Sequence, residues 1–344
     1  MKIGAVTLEH PVALAPMAGM TDTAFRRLVK RMGGCGLVVT EMVSSEGLVR
    51  GIDRTLEYAE YTEEERPVSI QIFGGDPQVM ADAARIVEGM GADIVDVNMG
   101  CPVPKIAKHN AGCSLMREPG HAASVVRAMV GAVKIPVTVK MRAGWNEHEI
   151  NAPDLARMVE DAGASAVAVH GRTAAQSYSG ESDWALISRV AEGVGIPVFG
   201  SGDCVEAGHV VSRLEGWSAR GVLVGRGALR NPWIFKQAAD ALAGEPPVEI
   251  TPEQRGQFLL AYINLLLEER VHEGAGFRHT APGQTEAGGP ARGRERWVIN
   301  KLRALGSWYT KGMDGGSQLR VAINTSESIQ QLRDVIEESY CLKV

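Results

Sequence analysis

The sequence predicts a (β/α)8 barrel followed by a small helical domain, and three observations carry that expectation. Eight short apolar, often β-branched runs recur over residues 1–240, each closing on Gly or a polar residue. Amphipathic helical stretches lie between the runs, which implies parallel pairing of the strands. Composition then breaks at LAGEPPVEITPEQ (242–254), and helical periodicity alone follows. Eight βα units in this span match the ~250 residues usual for the barrel. An open doubly wound sheet would show the same alternation, usually with fewer strands, and no GxGxxG follows the first run.

The runs are VALAPM (12–17), LVVTEM (37–42), VSIQIF (68–73), IVDVNM (94–99), VTVKMR (137–142), AVAVHG (166–171), PVFGSG (197–202) and GVLVGR (221–226). Between them, TDTAFRRLVKRMG (21–33) opens on a Thr/Asp cap and closes on Gly33. DPQVMADAARIVEGMG (76–91) does likewise, and REPGHAASVVRAMVGAV (117–133) and PDLARMVEDAG (153–163) read as further helices. These residues assign 1–244 to the barrel and 245–344 to the helical domain. Within the latter, 253–272, 294–312 and 328–340 have helical patterns. The stretch 273–293 is rich in Gly, Pro, Thr and Ala without an apolar period, and is expected to be a flexible loop.

Composition excludes several classes. Five cysteines (35, 101, 113, 204, 341) form no CxxC pair and no zinc spacing, which points to reduced thiols and a cytoplasmic protein. The first residues lack the apolar core of a signal peptide, and no run approaches the ~20 residues that span a membrane. A monomer is expected. The net charge of −5 argues against a uniformly basic nucleic-acid binder.

Barrel active sites lie at the C-terminal ends of the strands. Those ends carry Pro16, Met17 and Ala18, then Glu41, Gln71, Asn98 to Cys101, Lys140 with Arg142, His170 with Arg172, Ser201-Gly202-Asp203 and Gly225-Arg226. Carboxylates are too few for a paired-carboxylate hydrolase, and ligands too few for a metal. GSGD (200–203) and GRGA (225–228) follow the last two strands, the usual phosphate position of this fold. Lys140 follows apolar VTV and needs an anion or ligand, unless Glu41 or Asp96 pairs with it. A lone His170 would be a satisfied core histidine; beside Lys140 and Gln71 it reads as part of a polar site. Cys101 in NMGCPVP is open to roles as packing residue, nucleophile or general acid. Cys113 reads as structural, and the loop from Pro102 to Pro119, with His109, as a lid.

LAPMAGMTDTAFRRL, QIFG, VDVNMGCPVPKIAKHNAGCSLM, VTVKMRAGW, VHGRT and GVLVGRGALRNPWIF together resemble the bacterial tRNA-dihydrouridine synthases. The resemblance runs on through LRALGSWYTKG and LRVAINT in the tail. It implies an FMN-binding barrel, NADPH (or NADH) as reductant, and a helical tail that holds tRNA. Pro16, Met17 and Ala18 would line the flavin, Gln71 and Lys140 would hydrogen-bond its ring, and His170 would lie close by. Ser201, Gly202, Asp203, Gly225 and Arg226 would take the phosphate; Ser201 departs from the Asn expected in many relatives. Asn98, Arg142 and Arg172 would contact the uracil, and Cys101 would donate the proton. Charge supports an RNA partner locally. Arg292, Arg294, Arg296, Lys301, Arg303, Lys311 and Arg320 face only Glu295 and Asp314 over residues 292–320, a local net charge of +5. The interleaved aromatics Trp297, Trp308 and Tyr309 are expected to pack the helical core. The alternative reading is a flavin barrel acting on a free pyrimidine, which would need neither tail nor basic cluster.

Overall fold

The computed structural model describes residues 1–107, 110–268 and 291–342, without the side chains of 53–54 and 291–293. All eight runs are strands: β1 (Val12–Leu14), β2 (Leu37–Val39), β3 (Val68–Phe73), β4 (Ile94–Met99), β5 (Val137–Arg142), β6 (Ala166–His170), β7 (Val198–Ser201) and β8 (Gly221–Val224). They pair in parallel in chain order, and β8 returns to β1 through Val222 beside Val12, so the sheet closes. A short antiparallel hairpin, Lys2–Ile3 with Val6–Thr7, precedes the barrel.

Helices α1 (Thr23–Met32), α2 (Ser45–Val49), α3 (Asp53–Ala59), α4 (Pro77–Gly89), α5 (Pro104–Ala107), α6 (Pro119–Val130), α7 (Ala152–Asp161), α8 (Trp184–Glu192), α9 (Ala207–Gly216), α10 (Arg226–Arg230) and α11 (Ile234–Leu242) fill the intervening connections and follow β8. Their ends obey local chemistry. Asp22 caps α1 by accepting from the Phe25 amide, and Gly33 ends it at φ 85°. Asp76 caps α4, with Pro77 in its first turn.

Strand alternation divides the core into two layers. Val95, Val97, Met99, Val137, Val139 and Met141 face outward and are fully buried under the helices. Ala13, Leu37, Val39, Ile94, Ala166, Ala168, Phe199 and Leu223 face inward with Ile3 and Leu8. Beyond Ile94, the inward row on β3 to β5 is instead mostly polar: Ser69, Gln71, Asp96, Asn98, Thr138, Lys140 and Arg142. The barrel interior is therefore apolar on one side and polar on the other, and the polar side rises to the mouth.

A buried ion pair locks the first helix. Arg26 Nε donates to Glu65 Oε2 at 2.6 Å, with the two residues 1% and 0% exposed. Arg26 also donates to the carbonyls of Thr21 and Glu60, while Glu65 accepts from Thr23 and the Thr62 amide. Breaking one side strands a buried charge. Glu65→Leu is expected to lose about 3–5 kcal/mol in denaturant unfolding, and Arg26→Met with Glu65→Leu to recover most of it.

The tail contains α12 (Pro252–Glu268), α13 (Ala291–Tyr309), α14 (Gly316–Thr325) and α15 (Ile329–Ser339). Helix α14 was not expected from the pattern; it starts after Gly315 in a left-handed conformation, without a side-chain cap to announce it. Residues 291–293, expected in the loop, are helical backbone; 269–290, which hold the rest of that loop and the end of the helix expected at 253–272, lie outside the described residues. The tail packs on the first βα unit. Phe25 meets Phe258 and Tyr262 edge-on, and Tyr309 stacks on Phe258 at 5.5 Å.

Candidate active site

A cleft opens at the C-terminal mouth, the usual place of the active site in this fold. Pro16 and Met17 after β1, Lys140, His170, Ser201 to Asp203, and Gly225 with Arg226 line it. Of the residues expected to hold the flavin, Ala18 and Gln71 do not line the cleft, nor do Asn98, Cys101, Arg142 and Arg172, expected at the uracil. Ala18 is exposed near the tip of the next turn, and Gln71 is buried one layer below. Tyr178, on the loop after β6, lines the cleft and gave no signal beyond loop composition. Its ring lies 4.4 Å from the Arg226 guanidinium and 5.9 Å from that of Arg142. A smaller cavity of about 30 Å³ lies deeper in the barrel, among Ser69, Asp96, Thr138 and small alanines, and Lys140 borders both spaces.

Lys140 is the distinctive cation. Its ammonium makes no hydrogen bond or ion pair among the described residues. The carboxylates that might have held it are engaged elsewhere. Asp96 accepts from Gln71 at 2.7 Å and from Thr138 at 2.5 Å; Glu41 accepts from the Gly19 amide and faces Lys301. Burial, with Arg142 nearby, lowers the Lys140 pKa to about 8. Burial and the cations Lys140, Arg142, Arg172 and Arg226 lower His170 to about 2, so its ring is neutral. Arg172 Nη1 faces His170 Nε2 at 3.4 Å, which leaves the ring proton to Nδ1.

A buried relay fixes the segment after β4. Gln71 Nε2 donates to Asp96, Gln71 Oε1 accepts from Asn98 Nδ2 at 2.7 Å, and Asn98 Oδ1 accepts from the Gly100 and Cys101 amides at 3.1 and 2.9 Å. Asn98 sits level with Lys140 on the neighbouring strand. Arg142 donates to the carbonyls of Gly100, Thr173 and Ser177. Cys101 is half-buried beside these groups. Burial raises its thiol pKa, against the backbone of Val103 and the charges of Arg142 and Lys140, so it holds its proton at neutral pH. Cys113 is fully buried, as expected of a structural residue.

Across the mouth, Arg172 Nη2 donates to both Asp203 carboxylate oxygens, at 2.8 and 2.9 Å, and the guanidinium donates to the carbonyls of Ser179 and Gly180. Burial alone would raise the Asp203 carboxyl; the Ser182 amide, Arg172 and Arg226 together hold it below the usual range. Gly202 sits at φ 127°, and a Cβ there would meet Ser182 Oγ at 2.2 Å. Only glycine passes this point, where the chain bends around the cleft.

The expected basic cluster is only partly a surface. Arg296 and Lys311 are exposed. Arg294 donates to the Leu266 carbonyl and lies over Trp297; Arg303 donates to Asn300 and the Ser326 carbonyl. Lys301 turns inward to Asp22 and Glu41, a correction to its expected place on the RNA face, because two barrel carboxylates offer it a better-shielded site. The Arg292 side chain and His109 lie outside the described residues. Tyr309 packs the core at 1% exposure, and Trp297 and Trp308 are half-buried. Among the described residues no group of three or more His, Cys, Asp or Glu could hold a metal, and no helix is long and apolar enough to cross a membrane.

A family model described as "Dihydrouridine synthase (Dus)" matches residues 13–287. The chain belongs to the dihydrouridine synthase family. It is 37% identical to a "Probable tRNA-dihydrouridine synthase" of Rickettsia bellii, over 99% of this chain and 98% of that one. It is 44% identical to one of Rhodobacter capsulatus, over 71% of this chain and 76% of that one. It is 36% identical to the "tRNA-dihydrouridine synthase B" of Xanthomonas axonopodis pv. citri, over 95% and 92%. Among solved structures, "Crystal structure of TcOYE with pHBA" shares the fold, with a TM-score of 0.52 at 11% identity, over 74% of this chain and 94% of that one.

Proposed function

We propose that the chain is an FMN-dependent tRNA-dihydrouridine synthase, a cytoplasmic enzyme that reduces the C5=C6 bond of specific uridines in the D-loop region of tRNA with NADPH as reductant. The observation that carries the site is Lys140: a half-buried ammonium that makes no hydrogen bond or ion pair among the described residues, level with Asn98 and lining a cleft that belongs to a dihydrouridine synthase barrel. Such a cation calls for an electron-rich ligand. The remaining residues fit a flavin. Pro16 and Met17 give an apolar wall, His170 is a neutral donor, and Gly202, Gly225 and Arg226 give close backbone approach and positive charge for a phosphate.

FMN held by Pro16, Met17, Lys140 and the glycines after the last two strands would supply the hydride chemistry, with NADPH as reductant. Cys101 would hold the proton that the base takes up at C5. The raised thiol pKa keeps that proton in place until charge builds on the base, and the fields of Lys140 and Arg142 stabilise the thiolate left behind. Gln71 and Asn98 act here by holding the Cys101 segment. Arg172 serves the site by fixing Asp203 and His170. The barrel, 1–244, holds the flavin; the tail, 245–344, offers Arg296 and Lys311 to RNA phosphates while the target base leaves its stack to enter the mouth.

Position-resolved mapping of dihydrouridine in tRNA from a deletion strain tests the proposal. Loss at one or more defined positions, restored by the gene, is expected. Unchanged dihydrouridine at every position in a strain without a paralogue would sink it.

A further inference from the structure

Lys301 belongs to the tail helix α13, yet its ammonium lies within the rim of the barrel, on a side chain only 13% exposed. It contacts Asp22 Oδ2 at 3.0 Å and Glu41 Oε1 at 3.5 Å, and donates to the Gly19 carbonyl at 2.9 Å. Each partner belongs to a different element. Asp22 caps α1 and accepts from Tyr262 of α12. Glu41 lies just past β2 and accepts from the Gly19 amide. Both polar groups of the Gly19 backbone are thus held by charged side chains.

Gly19 is the tip of a tight turn that starts at the cleft. The Met20 and Thr21 amides donate to the Met17 carbonyl at 3.0 and 3.1 Å, and the Met17 amide to Thr21 Oγ1 at 3.0 Å. Pro16 and Met17, at the base of this turn, line the cleft. Without the ammonium, Asp22 and Glu41 would face each other as like charges, and Gly19 would lose one anchor.

We propose that Lys301 is a positioning residue, a strut by which the tail helix holds Pro16 and Met17 against the bound flavin, rather than a contact to tRNA phosphate. The role rests on the flavin reading of the cleft. It links the part of the chain that meets RNA to the wall of the redox site through a single side chain.

Three measurements on Lys301→Met test it: FMN release from the holoenzyme on dilution, the salt dependence of tRNA binding, and amide exchange at Gly19 and Met20 in flavin-free protein. The FMN dissociation constant should rise about tenfold, as expected when one partner of a buried charge node is removed. The two amides should exchange faster, and the salt slope should stay as in the unaltered protein. Lys301→Arg should restore most of the flavin affinity. Unchanged exchange and unchanged FMN affinity would overturn the strut, all the more if the salt slope fell by about one, the mark of a lost phosphate contact. If the unaltered chain bound no FMN while exchange at Gly19 still quickened in the variant, the strut would stand and the flavin reading would fall. Lys301→Gln, which keeps a donor for Gly19 without the charge, is read the same way should Lys301→Met not fold.

Discussion

Replacing Cys101 by alanine is expected to lower kcat for uridine reduction by about 10²- to 10⁴-fold, the range a positioned general acid supplies. Reduction of the flavin by NADPH should be untouched, because the thiol acts only after the base has bound. Serine should not rescue the rate, since a hydroxyl has the shape of the acid without its acidity. The pH profile carries the same information. An acid works only while protonated, so activity should hold through neutral pH and fall on the alkaline side. The raised thiol pKa places that limb above the ordinary ~8.5 of a free cysteine. Single-turnover kinetics on the pre-reduced enzyme is the direct measurement. Full activity of Cys101→Ala in that assay would remove Cys101 from the mechanism.

Lys140→Met is expected to act in opposite directions on stability and on function. In the flavin-free protein the half-buried ammonium has no hydrogen bond or ion pair among the described residues, so its removal should stabilise the fold by about 1 kcal/mol, the low end of the cost of an unsatisfied polar group. The sign can be checked through pH. Lys140 titrates at about 8 when folded, against an ordinary value of 10.5. Below pH 8 both states carry the proton and the folded state bears the full penalty. Between the two values the unfolded chain binds more protons, so stability should rise with pH across that window. Lys140→Met should lack this rise. Function should move the other way: FMN affinity should fall, and in the unaltered protein it should weaken as pH passes about 8 and the ammonium discharges. Thermal melts of the flavin-free protein and FMN titrations from pH 7 to 10 test both arms. A destabilised Lys140→Met with normal FMN binding would contradict the assignment.

The barrel was legible because each strand combines an outward row of valines and methionines with punctuation by capping residues and glycines. Those are local signals, and they placed Gln71, Asn98, Lys140, His170 and Gly202 at the correct end of the sheet. Partnership was not legible. Lys140 and Lys301 look alike in sequence, as lysines within apolar context, yet one feels only the field of Asp96 without an ion pair and the other contacts two carboxylates. The difference arises from Asp96 being held by Gln71 and Thr138, and from Glu41 lying beside a helix some 260 residues later in the chain. Tyr178 was missed for a related reason. A single tyrosine in a polar loop has no periodicity, and its value comes from the guanidinium groups of Arg142 and Arg226, which other strand ends deliver.

The three carbonyls that Arg142 holds belong to two loops, Gly100 after β4 and Thr173 and Ser177 after β6. The guanidinium thereby welds the cysteine-bearing loop to the tyrosine-bearing one. Neither can swing out alone without leaving a buried charge short of its acceptors. In native-state exchange the amides of the two loops should therefore open as one cooperative unit with a shared opening free energy. The mouth would admit a base through a paired jaw, and the proton donor and the opposite wall would return to register together each time it closes.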